Sequence, residues 1–118
     1  MTGLGFPGQY RLKKTDEFSS VFNFRKRVTG TVLALHYMPN SFGHARLGVV
    51  VGKKTAKLSV QRNYMKRTLR ELFRQHKITL GAIDILIRPL KAYSRDEFTI
   101  VETELEQLLN KLRNKVVV

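Results

Sequence analysis

The stretch Ala45–Arg88, ARLGVVVGKKTAKLSVQRNYMKRTLRELFRQHKITLGAIDILIR, decides the architecture. It opens on a strand-like run ending in Val49-Val50-Val51, crosses a glycine–lysine loop, and continues with helical periodicity from Val60 to His76. It closes on Ile83–Arg88, where three isoleucines alternate and Pro89 stops the strand. Strand, helix and strand in one unit predict that the two flanking strands pair in parallel. Leu86, on the side opposite Ile83, Ile85 and Ile87, predicts a strand buried on both faces. Ser59 is the expected N-cap of the helix.

Working outward, Thr15 is expected to cap a short helix, Asp16–Phe24, with two acids in its first turn to suit the helix dipole. Phe18, Val21 and Phe22 share one face of it. Arg25-Lys26-Arg27 closes that segment and Thr29-Gly30 breaks it. Thr31–Met38 is rich in β-formers, and the turn chemistry of Pro39–Gly43 predicts a hairpin joining it to Ala45–Val51. Ser94-Arg95-Asp96-Glu97 is a capping box, and Phe98, Val101, Leu105, Leu108 and Leu112 follow it at helical spacing. The acids beyond Glu97 are expected on the solvated face of that helix. The predicted order is α-β-β-α-β-α, an α+β single-domain sandwich with a small mixed sheet.

Composition limits what such a domain can do. The chain has 118 residues, 22 of them Lys or Arg against 9 Asp or Glu, for a net charge of +13. Its hydrophobic fraction of 42% is enough for a core, so a disordered basic tail is excluded. The absence of cysteine removes disulfide scaffolds, cysteine-ligated zinc and thiol nucleophiles together. No apolar run approaches the roughly 20 residues of a membrane span. Met1–Tyr10 has three glycines and a proline but not the charged-then-apolar pattern of a secretion signal. It reads as a flexible lead-in to a single cytoplasmic domain, residues 11–118. The first 95 residues carry 19 basic and 4 acidic side chains, the rest 3 and 5, so the positive field belongs to the body of the domain. Self-repulsion of this size opposes a compact state, and a polyanion offsets it naturally.

Lys53–Arg74 concentrates that charge: eight basic side chains and one acid, Glu71. On a helical wheel Met65, Leu69, Leu72 and Phe73 form the core-facing stripe, and Asn63, Lys66, Arg67, Arg70 and Arg74 share one arc. A merely solvated face mixes signs to gain i,i+4 pairs; this one stacks like charges instead, as a row of phosphates requires. Arg62 projects near the apolar edge, where it either reaches over the helix end towards a ligand or braces the preceding loop.

Two letter-matches carry no chemistry. Gly48 and Gly52 have three residues between them where a phosphate-binding loop needs four, and Gly3–Gly8 follows no strand and contains Pro7. His36, His44 and His76 are far apart, and no carboxylate cluster could hold two metal ions for phosphodiester cleavage. A binding module is therefore expected, not a nuclease acting alone. A ribosomal-type or duplex-binding protein would share the basic helix but need no single-strand cleft.

Arg46-Leu47-Gly48-Val49-Val50-Val51-Gly52-Lys53-Lys54, then Gln61-Arg62-Asn63-Tyr64-Met65-Lys66-Arg67 with Arg70-Glu71, resembles the bacterial ribonuclease P protein component. Arg11-Leu12-Lys13-Lys14 with Phe18 and Phe22 is similar to that family's N-terminal segment, so the likeness runs from about Arg11 to Leu112. One position departs: the family usually has arginine after the Arg-Asn pair, where this chain has Tyr64, which can stack or hydrogen-bond instead.

The resemblance implies a ribosomal-protein-S5-like α+β fold with a left-handed β-α-β crossover. It implies a protein subunit that assists a catalytic RNA in removing the 5′ leader of precursor tRNA, using Mg2+ held mainly by RNA subunit and substrate. No membrane and no obligate protein partner are implied. Arg62, Asn63, Lys66, Arg67, Arg70 and Arg74 would face the RNA subunit, and Arg11, Lys13 and Lys14 would add further RNA contacts. Lys53 and Lys54 would edge the leader cleft, and Phe18 and Phe22 would line it. By spacing alone those two phenylalanines are ordinary core; the family makes them stacking platforms for unstacked bases. His36 or Tyr37 would complete the cleft, strand register deciding which.

Overall fold

The computed structural model describes residues 11–75 and 81–116. The expected lead-in and His76 lie outside them. Four strands form one mixed sheet: β1 (Lys26–Thr29), β2 (Leu33–Pro39), β3 (Arg46–Val49) and β4 (Ile83–Pro89), in the order β1-β2-β4-β3. Three helices flank it, α1 (Thr15–Phe24), α2 (Ser59–Arg74) and α3 (Phe98–Val116), the last entered through a 3-10 turn at Arg95–Glu97. This is the α+β sandwich expected, with one strand more. The parallel pairing of β3 with β4 is as read from the sequence.

The hairpin is not. β4 lies between β2 and β3, antiparallel to the first and parallel to the second. The turn chemistry is real, since the Phe42 N–H donates to Asn40 Oδ1 at 2.9 Å. A turn reverses the chain, however, without choosing its neighbour. The centre of the sheet goes to the strand that is apolar on both faces. Ile83, Ile85 and Ile87 pack with α2 and α3, and Leu86 packs with Leu12 and Val21 on the other side.

β1 is the unforeseen strand. Arg25 takes the left-handed conformation (φ 64°) at the C-cap of α1, turning the chain so that Lys26–Thr29 pairs antiparallel with β2. Its charged residues suit an edge, and only Val28 is buried. The turn after it is pinned by Glu104 of α3, whose carboxylate accepts the N–H groups of Thr31, Val32 and Leu33 at 3.0, 2.6 and 2.6 Å. Glu104 is thus a structural clamp, not a member of a solvated face. Gly30 leaves room for it: a Cβ there would sit 2.5 Å from Glu104 Cδ.

Helix starts shift by one residue from expectation. Lys14 is the N-cap of α1, and the Glu17 carboxylate reaches back to the N–H groups of Lys13 and Lys14 at 2.7 and 3.1 Å. Leu58 rather than Ser59 is the N-cap of α2. Ser94 starts the last helical segment as read, its N–H donating to Glu97 Oε1 at 3.1 Å.

The main core lies between the sheet and the α2/α3 layer, where Met65, Leu69, Leu72 and Phe73 meet Val101, Leu105, Leu108 and Leu112. On the opposite face α1 covers part of the sheet with Val21 and Phe18. Its close approach depends on Gly48, where a Cβ would stand 2.5 Å from Phe18 Cε1.

Candidate nucleic-acid interface

The apolar stripe of α2 faces the core, so its cationic arc is turned outward. Asn63 and Arg67 are exposed, Lys66 and Arg70 half-buried. With Val60 these four line a shallow groove of about 340 Å³. Burial, and then the neighbouring Arg11 charge, lower the pKa of Arg70. Arg74 continues the row but is held by Glu71, Nε to Oε1 at 3.1 Å and Nη2 to Oε2 at 2.6 Å.

Of the two roles weighed for Arg62, the structure shows the brace. Its Nη1 donates to the carbonyls of Ala56 and Lys57 at 2.8 and 2.9 Å, bracing the loop that follows β3. That loop carries Lys53 and Lys54, both exposed, and Arg62 ties it to the start of α2.

Register also places the strand candidates. His36 shares the α1 face of the sheet, its ring edge-on to Phe22 with centroids 4.6 Å apart, whereas Tyr37 joins the main core. His36 is only 3% exposed, and its Nε2 has no hydrogen-bond partner. Burial, then the charges of Arg88 and Arg27, lower its pKa below the ordinary 6.5, so the ring is neutral at pH 7. Phe22 is 49% exposed beside it, while Phe18 is tucked against Gly48. The two phenylalanines therefore differ: Phe18 packs against the sheet, and Phe22 stays half exposed.

Arg27 and Arg88 were missed in the sequence. Arg27 pairs in register with His36, and Arg88 with Ala34, which sets both arginines on the α1 side of the sheet. Their alternation with inward-facing Val28 and Ile87 is the signal that could have found them. Arg11, Lys13 and Lys14 gather round another hollow, of about 290 Å³, opposite Phe42, His44 and Arg46.

Among the described residues no group of three or more His, Asp or Glu is placed to hold a metal ion. No described helix is long and apolar enough to cross a membrane. What the fold and these surfaces define is a small α+β protein with a cationic helix face and a sheet face bearing an exposed aromatic ring and two arginines.

The sequence profile of the ribonuclease P family matches residues 6–113. The protein components from Chromobacterium violaceum and Azoarcus are 42% and 45% identical, over 95% and 91% of this chain and 93% and 89% of theirs. The ribonuclease P protein structures from Thermotoga maritima and Staphylococcus aureus superpose with TM-scores of 0.72, each over 86% of this chain. They cover 96% and 93% of those chains, at 26% and 29% identity. The chain belongs to the bacterial ribonuclease P protein family: it is the protein component of a ribonucleoprotein endoribonuclease of tRNA processing.

Proposed function

We propose that this subunit binds the catalytic RNA of ribonuclease P through α2 and holds the single-stranded 5′ leader of precursor tRNA against the α1 face of the sheet, in the cytoplasm. The observation that carries the reading is the acid-free arc of Asn63, Lys66, Arg67 and Arg70, fixed on a helix whose opposite face is locked in the core. Phosphates along that arc exchange their counterions for side chains that already share one register. Arg62 supports the arc indirectly, by fixing the loop of Lys53 and Lys54.

Leader recognition has a separate basis. Phe22 offers an exposed apolar surface, the buried His36 ring backs it, and Arg27 and Arg88 bring charge for the leader backbone. Such a surface grips unstacked bases with little sequence preference. Mg2+ held by RNA and substrate supplies the hydrolytic chemistry; the residues of this chain bind, orient and neutralise.

A cleavage assay on precursor tRNA at low magnesium tests this, comparing bacterial ribonuclease P RNA alone, this protein alone, and both. Stimulation only by the pair is expected. No stimulation, with tight binding to duplex RNA instead, would discard the proposal.

A further inference from the structure

Beside the phosphate groove, on the other flank of Arg67, lies a second hollow of about 260 Å³ between α2 and the start of α3. Tyr64, Arg67, Thr68, Glu71, Arg95 and Phe98 line it. Tyr64 and Phe98 are half-buried against the main core, and the Arg95 guanidinium lies over the Tyr64 ring, 5.9 Å from its centroid. The Tyr93 hydroxyl behind them is already engaged with Thr68 Oγ1 at 2.7 Å and the Met65 carbonyl at 3.2 Å, so the wall is braced.

We infer that this hollow takes one unstacked nucleobase of the RNA whose backbone follows α2. The inference rests on the RNA-binding reading above and adds a base-recognising site to it. Three properties select the occupant. The volume is below the roughly 300–1,000 Å³ of sites for drug-sized ligands, which suits a single planar ring system. Two aromatic side chains provide the apolar lining that a base face requires. The polar groups are divided: Arg67 and Arg95 provide positive charge, and Glu71 supplies an acceptor that repels a phosphate.

Glu71 also sets the kind of base. Arg74 occupies one acceptor position on each of its oxygens, and each oxygen keeps a second. A base edge bearing N–H donors, as in guanine, adenine or cytosine, matches what remains. Arg67 lines both the groove and the hollow, so a strand whose phosphates follow the arc passes the rim and can turn one base inward.

The test uses the complex of this protein with a bacterial ribonuclease P RNA, probed by base-edge reagents and by hydroxyl-radical footprinting of the backbone. The wild-type complex should shield one unpaired nucleotide at its Watson–Crick edge. Tyr64→Ala should unshield it, keep the backbone footprint, and weaken affinity roughly tenfold at unchanged salt slope, with Tyr64→Phe restoring protection. Glu71→Gln, at an exposed position, gives a decision independent of folding. Removing an acid from an RNA-facing helix raises affinity by electrostatics alone, whereas loss of a base contact lowers it and reduces protection. Unchanged base reactivity in a folded Tyr64→Ala complex, or a gain in affinity from Glu71→Gln with protection intact, overturns the pocket. Absence of any wild-type backbone footprint overturns the RNA-binding reading and the pocket with it.

Discussion

Arg46 and Asp84 face each other across the parallel β3–β4 pair, and the guanidinium grips the carboxylate with two bonds, Nε to Oδ1 at 2.9 Å and Nη2 to Oδ2 at 2.8 Å. Asp84 is 1% exposed. Asn40 Nδ2 adds a third donor at 2.7 Å, and the remaining prong of Arg46 reaches Glu17 of α1 at 2.8 Å. The Phe42 ring covers the guanidinium, 4.0 Å from Cζ to centroid. One side chain thus joins α1, the β2–β3 connection, β3 and β4, and sets how α1 lies on the sheet face proposed to hold the leader.

Breaking that junction leaves a buried carboxylate without its cation. Arg46→Leu should therefore cost about 3 kcal/mol of unfolding free energy, read by urea denaturation. A loss below about 1 kcal/mol would mean that Asp84 is adequately satisfied by Asn40 alone.

Acid should loosen α1 first. The N–H groups of Lys13 and Lys14, more than Arg46, bring the Glu17 carboxyl from 4.5 down to about 2. A carboxylate with a lowered folded pKa adds stability that is complete above about pH 4.5 and lost as pH falls towards 2. Glu17→Gln should flatten that limb of the stability profile while the wild type retains it. Superimposable acid limbs for the two proteins would refute the assignment.

Gly48→Ala should destabilise by about 1–3 kcal/mol, because the new methyl overlaps the Phe18 ring and crowds Leu12. Calorimetric melting checks this. The same variant should weaken leader binding more than binding to the RNA subunit, since α1 moves and α2 does not. Equal losses would place the damage in the whole fold.

Arg67 sits mid-arc and exposed, its Nε only 3.4 Å from the Asn63 carbonyl in a long helical contact. Arg67→Ala should weaken RNA binding and lower the slope of log affinity against log salt by about one, with little effect on melting. An unchanged slope would remove Arg67 from the phosphate contacts.

Phe22→Leu removes the ring but keeps an apolar side chain at a half-exposed site, so stability should change by no more than about 0.5 kcal/mol. Affinity for precursor tRNA should fall while affinity for mature tRNA holds. Equal changes for both substrates would reduce Phe22 to part of the His36 packing.

The sequence by itself determined whatever is written in local periodicity. The i, i+3, i+4 spacing of Met65, Leu69, Leu72 and Phe73 fixed which side of α2 is buried, and so which side carries Asn63, Lys66, Arg67 and Arg70. The capping signal at Ser94 and the two-faced burial of β4 were legible for the same reason, and the parallel β3–β4 pair followed from the strand–helix–strand order. Only the tertiary structure decided what depends on partners distant along the chain. That β4 separates β2 from β3 and that Glu104 clamps residues 31–33 both rest on non-local hydrogen bonds. Strand side chains alternate with a period of two, so His36 and Tyr37 exchange faces with a single step of register, and no neighbouring residue fixes that step. Arg62 as a loop brace, Arg46 as a junction and Tyr64 as a pocket wall were chosen by what the folded chain brings within bonding reach.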